Sequence, residues 1–201
     1  MQVLFLDFDG VLNSKQHFLM TKNDKLRGAD TLEVADLLRM KHDTNKNNMW
    51  VLGYIMEKLP DLKIVISSAW GLHYSLEQFQ EFFKVWKLDG SRVIGITPRK
   101  MSSYRCNEIN WWLQEQNENE EHDCPKEEKP EDDCATCEKN AKREYVDIKW
   151  AALDDHEIFR LDEPEVKNQF LTDSWVGVTM NDAFKIIRHF KPDFREPYFG
   201  I

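Results

Sequence analysis

The 201-residue chain has no long hydrophobic run, no excess of positive charge and only four cysteines. No stretch approaches the roughly 18 apolar residues of a membrane-spanning helix, and no basic segment leads into an apolar one at the N-terminus. We therefore expect neither a membrane span nor a signal peptide. The net charge of −9 argues against a broad groove for duplex nucleic acid, while leaving room for a local basic pocket. Four cysteines without a leader favour free thiols or metal ligands over disulfides, and a cytoplasmic location.

The composition that is present, 41% hydrophobic and 12% aromatic residues, is that of one globular domain over residues 1–201. Strand-like segments alternate with helix-like ones along the chain. Predicted strands cover 2–8, 62–70, 91–97, 145–155 and a last short one within 168–179; predicted helices cover 29–42 with a cap at Asp30, 48–60, 75–88 opened by Ser75, 102–116 and 180–190 capped by Thr179. This alternation predicts an α/β doubly wound (Rossmann-like) fold, a parallel sheet with helices on both faces. Residues 14–60 are too short and too regular for a large cap, so we expect an open site.

Polar and charged side chains follow four of the predicted strands. They are Asp7 with Asp9, Ser67 with Ser68, Arg99 with Lys100 and the nearby Arg105, and Asp154 with Asp155. Two carboxylates on one face of a strand repel each other and are costly to desolvate, which implies a bound cation. Ligands of such sheets bind beyond the carboxyl ends of the strands. We therefore expect the two acidic pairs to meet there around Mg²⁺, a cation that prefers oxygen ligands.

Five stretches of the sequence resemble one family in order and spacing: “LFLDFDGVLN”, “IVISSAW”, “RCNEINWWL”, “WAALDD” and “FLTDSWVGVTMNDAFKII”. They are similar to the haloacid dehalogenase (HAD) superfamily of aspartyl-phosphate phosphatases. The closest likeness is to the small HAD domains associated with RNA repair and with phage genomes. The resemblance implies a Mg²⁺-dependent phosphomonoesterase whose substrate is a nucleotide or a phosphorylated nucleic-acid end.

The resemblance also implies roles for the acidic residues. Asp7 would be the nucleophile that takes the phosphoryl group. Asp9 would protonate the leaving alkoxide and later activate water, with its backbone carbonyl on Mg²⁺. Asp154 and Asp155 would hold Mg²⁺ together with Asp7, directly or through water. The presence of Asp9 favours phosphatase over dehalogenase chemistry.

The remaining roles fall on a hydroxyl and a cation. Ser67 would bind the transferring phosphoryl oxygens, and either Arg105 or Lys100 would stabilise their charge. Arg105 is favoured because its helix matches the family pattern, although it could equally pair with Glu108 on the helix surface. One departure stands out: related sequences commonly carry a basic residue after the tryptophan of the second motif, where this chain has Gly71.

Residues 118–143 form an acidic insertion with no apolar periodicity. His122, Cys124, Cys134 and Cys137 have the residue types and spacing of a tetrahedral zinc site, and a metal could order a segment that has no core of its own. The alternatives are an acidic loop with incidental cysteines, and a redox pair of Cys134 and Cys137.

A function of another class is also compatible with the sequence. The chain could be a catalytically silent HAD-fold interaction protein that binds a partner through the zinc-bearing insertion. The intact set of Asp7, Asp9, Ser67 and Asp154 speaks against it, because a degenerate enzyme has no physical reason to keep them. A calcium loop beginning at Asp7 is disfavoured, since no distal Glu ligand follows and a buried strand precedes it.

Overall fold

The computed structural model describes residues 1–21, 33–99, 104–118 and 147–197. The strands of the described chain are β1 (Gln2–Leu6), β2 (Leu62–Ile66), β3 (Val93–Ile96), β4 (Lys149–Asp154) and β5 (Gln169–Leu171). The helices are α1 (Lys15–Thr21), α2 (Glu33–Asp43), α3 (Lys46–Lys58), α4 (Leu76–Val85), α5 (Arg105–Glu118) and α6 (Met180–Phe190). Short 3₁₀ turns lie at Ala69–Leu72, Gly90–Arg92 and Pro164–Asn168.

All five described strands are parallel and form one sheet in the order β3-β2-β1-β4-β5. The connections run outward from β1 on one side to β2 and β3, and then cross to β4 and β5 on the other. The topological switch point of the sheet therefore lies between β1 and β4. Crevices at such points are where doubly wound sheets bind ligands. Leu6 pairs with both Ile66 and Leu153, so the ends of the three central strands are level.

Alternate residues of β1 point to two separate hydrophobic layers. Leu4 and Leu6 belong to the larger layer, which contains apolar residues of α3, α4 and α6. Val3 and Phe5 belong to the smaller layer, in which Phe5 meets Trp112 of α5 edge to face at 5.4 Å between ring centroids. Helices thus cover both faces of the sheet, and the predicted α/β doubly wound fold is confirmed. None of the described helices has the length and apolar character needed to cross a bilayer.

Two helix starts match the sequence prediction. Ser75 caps α4 through a reciprocal pair of hydrogen bonds with Gln78, and Thr179 caps α6 in the same way with Asp182. The helix predicted from 48 begins two residues earlier, because Asn45 accepts a hydrogen bond from the backbone of Asn47. The cap predicted at Asp30 lies outside the described residues.

The strands are shorter than the hydrophobic pattern predicts. The strand predicted over 62–70 ends at Ile66, because the Ser68 hydroxyl accepts a hydrogen bond from the Trp70 amide and opens a 3₁₀ turn. The segment 168–179 contains only the three residues of β5 as strand. Beyond it, Asp173 accepts a hydrogen bond from the Trp175 amide at 2.8 Å and turns the chain. In both cases a short polar side chain ends the strand.

Candidate active site

Three of the sequence-predicted residues meet at the carboxyl edge of the sheet. Asp7 follows β1, and its amide donates to the Leu153 carbonyl at 3.1 Å. Asp154 ends β4 next to that point, and Ser67 follows β2 with its amide on the Leu6 carbonyl at 2.8 Å. All three side chains are buried. The level strand ends of the switch point therefore bring a carboxylate pair and a hydroxyl together.

Arg105, the first residue of α5, reaches both carboxylates. Its Nη2 lies 3.5 Å from Asp7 Oδ1, and its Nε lies 3.5 Å from Asp154 Oδ2. Glu108, the other acid considered for Arg105, is buried and lies beside Arg99, whose Nε is 3.5 Å from its Oε1. Lys100, the other candidate for the same role, lies outside the described residues. Among the described residues, Arg105 is thus the arginine that bridges the two carboxylates.

The two carboxyl groups are held in conditions that disfavour their charge. Burial, with a smaller contribution from the charge of Asp154, raises the pKa of Asp7 to about 7, although Arg105 and a hydrogen bond from Ser68 oppose the rise. Burial also raises the pKa of Asp154, against the His156 amide that donates to it at 2.9 Å. One guanidinium at 3.5 Å does not neutralise two buried carboxylates. The site is therefore electrostatically incomplete without a further positive charge.

Two donors beside the carboxylates lack partners among the described residues. Ser67 Oγ and Arg105 Nη1 are both buried and make no hydrogen bond. Buried polar groups are nearly always paired, because leaving one unpaired costs free energy. Unpaired donors of this kind suit the oxygens of a bound anion.

Asp9 differs from Asp7 in two ways: its residue is exposed, and each of its carboxylate oxygens accepts a hydrogen bond. Its Oδ1 accepts from Asn13 Nδ2, and its Oδ2 accepts from Trp70 Nε1, each at 3.0 Å. The Trp70 ring is itself fixed, since it stacks on Phe8 with centroids 4.9 Å apart. The carboxylate is held by one donor on each oxygen. The sequence reading missed Asn13 and Trp70 as site residues, although both lie within the quoted motifs.

Asp155 lies directly on the turn that follows Asp9. Gly10 has φ of +80°, and a Cβ there would come within 2.2 Å of the Asp155 carboxyl group. Only glycine satisfies both the conformation and the close approach. The turn is tied to the sheet by Thr172 Oγ1, which donates to the Gly10 carbonyl at 2.9 Å. Glycine therefore lets the end of β4 approach the loop that carries Asp9.

A metal could be held at the end of β4. The ligand atoms of Asp154, Asp155 and His156 lie within 4.8 Å of one another. His156, which sequence reasoning missed, is exposed, and its Nδ1 contacts Asp155 Oδ1 at 2.6 Å. If Asp7 is included, the buried metal ligands would be carboxylate oxygens. The protein supplies too little positive charge to balance them. This donor set fits Mg²⁺, and His156 acts as a partner of Asp155.

An open cavity of about 670 Å³ begins at Asp9. Position 71, where the family resemblance leads us to expect a basic residue, has no room for a side chain unless Ile96 moves, since a Cβ would lie 2.6 Å from its Cγ2. Basic and aromatic residues are supplied to the cavity from elsewhere. The cavity is lined by Asp9, Asn13, Ser14, Lys15, Phe18, Arg39, Asp43, Trp70, His73 and Tyr74.

The four residues of the predicted zinc site cannot be compared with these findings. His122, Cys124, Cys134 and Cys137 all lie outside the described residues.

The strand order, the two acidic strand ends and the bridging arginine define a HAD-type α/β domain. The chain belongs to the family described as the HAD domain in Swiss Army Knife RNA repair proteins, whose model matches residues 3–183. Searches of curated proteins and of solved structures returned no match. Membership of this family supports a HAD-type function in phosphoryl transfer, phosphatase or kinase-like.

Proposed function

We propose that the protein is a Mg²⁺-dependent phosphomonoesterase that acts through an aspartyl phosphate on Asp7. The observation that carries this proposal is the position of Arg105, 3.5 Å from Asp7 and 3.5 Å from Asp154, beside a buried Ser67 hydroxyl that no described residue hydrogen-bonds. A buried nucleophilic carboxylate, a fixed cation and an unpaired donor are the parts that phosphoryl transfer requires.

In the first half of the reaction, an Asp7 oxygen forms a bond to phosphorus and the bond from phosphorus to the leaving oxygen breaks. Asp9 gives its proton to that oxygen. In the second half, Asp9 takes a proton from water, and the water oxygen displaces Asp7 from phosphorus. Asn13 and Trp70 hold Asp9 in one orientation for both proton transfers.

The charge of the transferring group is met by donors already in place. Ser67 Oγ and Arg105 Nη1 would donate to the phosphoryl oxygens, which gives both buried groups the partner they lack. Bound Mg²⁺, held by Asp7, Asp154, Asp155 and the Asp9 carbonyl, would supply the positive charge that lets an anionic nucleophile meet an anionic substrate.

The substrate class follows from the family and from the shape of the site. The family is described from RNA repair proteins, which favours a phosphorylated nucleic-acid end or a nucleotide. The cavity beside Asp9 is open and large enough for a leaving group of that size.

A screen of phosphate release with Mg²⁺ tests the proposal. The substrates are mononucleotides, 3′- and 5′-phosphorylated oligonucleotides and sugar phosphates. Asp7→Asn should lose turnover to the background rate, because an amide does not form the acyl phosphate. Asp193→Asn, an exposed aspartate of the C-terminal segment, is the matched control and should retain activity. Substantial hydrolysis by pure Asp7→Asn protein would remove Asp7 from this role.

We further propose, from the sequence alone, that His122, Cys124, Cys134 and Cys137 bind one structural zinc ion. Elemental analysis of purified protein should find about one equivalent of zinc, and the quadruple alanine variant should have none. Metal-free wild-type protein would contradict the zinc hypothesis.

A further inference from the structure

The cavity beside Asp9 is built from three separate parts of the chain. Helix α1 provides Lys15 and Phe18, helix α2 provides Arg39, and the turn after β2 provides Trp70 and, further along, His73 and Tyr74. Asp9, the proposed proton donor to the leaving oxygen, lies in the same lining. Whatever is attached to the transferring phosphoryl group must therefore enter this cavity.

The α1 wall is fixed although none of its residues is buried. The Lys15 amide donates to the Ser174 carbonyl at 2.9 Å, and the His17 ring contacts the His42 carbonyl at 2.8 Å. These contacts attach the first turn of α1 to the segment after β5 and to the end of α2. Phe18, carried on this anchored helix, is 52% exposed in the cavity lining. Helix α1 thus places a half-exposed phenyl ring in the lining of the cavity.

The wall formed by the turn after β2 is aromatic as well. Trp70 is fixed by stacking on Phe8 and by its hydrogen bond to Asp9, and the Tyr74 ring lies 5.6 Å from it. Aromatic rings on two walls suit a flat ring between or against them. Nucleic-acid bases bind single-strand sites in this way, because every base offers a π-face.

The charge of the cavity is balanced. Lys15 and Arg39 are offset by Asp9 and Asp43, with Arg39 Nε 4.0 Å from Asp43 Oδ2. A duplex-tracking surface needs a row of uncompensated cations, which neither this cavity nor the net charge of −9 provides. Lys15, which forms no ion pair among the described residues, can meet the charge of one neighbouring phosphate group. The cavity is thus suited to one nucleotide and its next phosphate.

We propose that this cavity is the leaving-group subsite for a single unpaired nucleoside at the phosphorylated end, with its base against Phe18 and Trp70 and its next phosphate at Lys15. The inference rests on the proposed function, and it excludes a paired terminus. A paired terminal base has one face stacked on its neighbour and its Watson–Crick edge bonded to the opposite strand, so it would have to be unpaired before entering a 670 Å³ cavity.

The first experiment compares kcat/KM across four substrates. They are glycerol 2-phosphate as a small reference without an aromatic ring, a mononucleotide, a single-stranded phosphorylated dinucleotide, and the same end within a blunt duplex. The dinucleotide should exceed glycerol 2-phosphate by at least about tenfold, because stacking on an aromatic side chain contributes that much binding. The blunt end should be the poorer nucleic-acid substrate. Equal rates on the blunt and single-stranded ends would overturn the proposal.

The second experiment uses variants and the ratio of the dinucleotide rate to the glycerol 2-phosphate rate. Phe18→Ala should lower this ratio about tenfold, and Lys15→Gln should lower it and reduce the dependence of the dinucleotide rate on salt. Trp50→Ala and Lys167→Gln, which change an exposed aromatic and an exposed cation outside the cavity, should leave the ratio unchanged. An unchanged ratio in Phe18→Ala would contradict the subsite.

Binding separates this inference from the proposed function. The single-stranded dinucleotide should bind wild-type protein. Phe18→Ala should raise the Kd for this dinucleotide about tenfold, whether or not the protein hydrolyses it. If no phosphomonoester is hydrolysed but this difference holds, the proposed function fails and the subsite stands. If glycerol 2-phosphate is hydrolysed but Phe18→Ala binds the dinucleotide as wild type does, the subsite fails alone.

Discussion

Two arginines of this protein lie at opposite ends of the parallel strands, Arg92 buried and Arg105 half-buried, and they differ in how completely they are hydrogen-bonded. Arg92, before β3, is 9% exposed. Its Nε donates to the Leu62 carbonyl at 2.8 Å, and its two terminal nitrogens donate to the carbonyls of Met56 and Leu59 at 2.8 and 2.5 Å. These carbonyls lie at the end of α3 and the start of β2. The guanidinium satisfies backbone acceptors and the negative end of a helix at once.

Arg105, at the carboxyl edge, is far less satisfied. Its carboxylate contacts with Asp7 and Asp154 are 3.5 Å long, and its Nη1 has no hydrogen-bond partner within the described parts of the chain. The raised pKa of Asp7 shows that the arrangement does not fully stabilise the charges it brings together. The comparison indicates that a buried charge with all its bonds made supports the fold. A half-buried charge with a donor left open, as at Arg105, is available to a ligand.

The largest expected effect on stability lies at the satisfied arginine. Arg92→Met should lower the free energy of unfolding by roughly 3–5 kcal/mol, because three backbone carbonyls lose a charged donor together. The turnover of the folded fraction should stay near wild type. Denaturant titration measures the first quantity and steady-state kinetics the second. Lys84→Met, which removes an exposed cation, is the control. A loss of less than about 1 kcal/mol of unfolding free energy in Arg92→Met, the size expected for an exposed pair, would contradict the role assigned to Arg92.

Arg105→Met should show the reverse pattern. The rate should fall roughly 10²–10³-fold, the usual effect of removing one donor to transition-state charge. The stability loss should be smaller than that of Arg92→Met, since Asp7 can take up a proton once its cation is gone. Comparing kcat and unfolding free energy for the two variants sharpens the distinction. If Arg105→Met destabilised the fold as much as Arg92→Met while turning over normally, the two arginines would not differ as described.

The unfavourable charge of Asp7 gives a pH-dependent effect on stability. A folded-state pKa of about 7 against 3.8 means that the carboxyl favours the fold below pH 3.8 and loses this contribution as the pH rises to 7. Asp7→Asn should therefore stabilise the Mg²⁺-free protein at pH 8 by up to about 4 kcal/mol, with the difference shrinking towards pH 4. Thermal unfolding at both pH values measures it. A difference of the same size at both would show that the carboxylate is not the cause.

The smallest effect concerns the donors that hold Asp9. Trp70→Phe keeps an aromatic ring on Phe8 but removes the N–H that reaches Asp9 Oδ2. We expect kcat on glycerol 2-phosphate to fall about tenfold, with little change in KM and an altered pH profile, because a freer carboxylate transfers protons less well. Trp50→Phe, on the exposed face of α3, is the matched control. A change confined to KM would mean that Trp70 contacts substrate but does not position Asp9.

The sequence was sufficient for the parts of the site that lie at strand ends. Hydrophobic runs followed by Asp7, Ser67 and Asp154 can be recognised without coordinates, because parallel strands bring their carboxyl ends to one edge. The hydrogen bond from Trp70 to Asp9 joins residues that are 61 positions apart in the chain. A contact of this kind cannot be predicted from the hydrophobic pattern of the sequence. The length of β2 was overestimated because apolar residues continue past the serines that end the strand.

The formation of an aspartyl phosphate on Asp7 is the central claim, and trapping it is the most direct test. Enzyme mixed with excess substrate and Mg²⁺ is quenched in acid, reduced with borohydride, digested and analysed by tandem mass spectrometry. The account predicts that Asp7 is converted to homoserine in the N-terminal peptide, and that Asp7→Asn protein shows no such conversion. Conversion at Asp9 or at another residue, or full turnover with no acyl phosphate trapped at any time point, would contradict it.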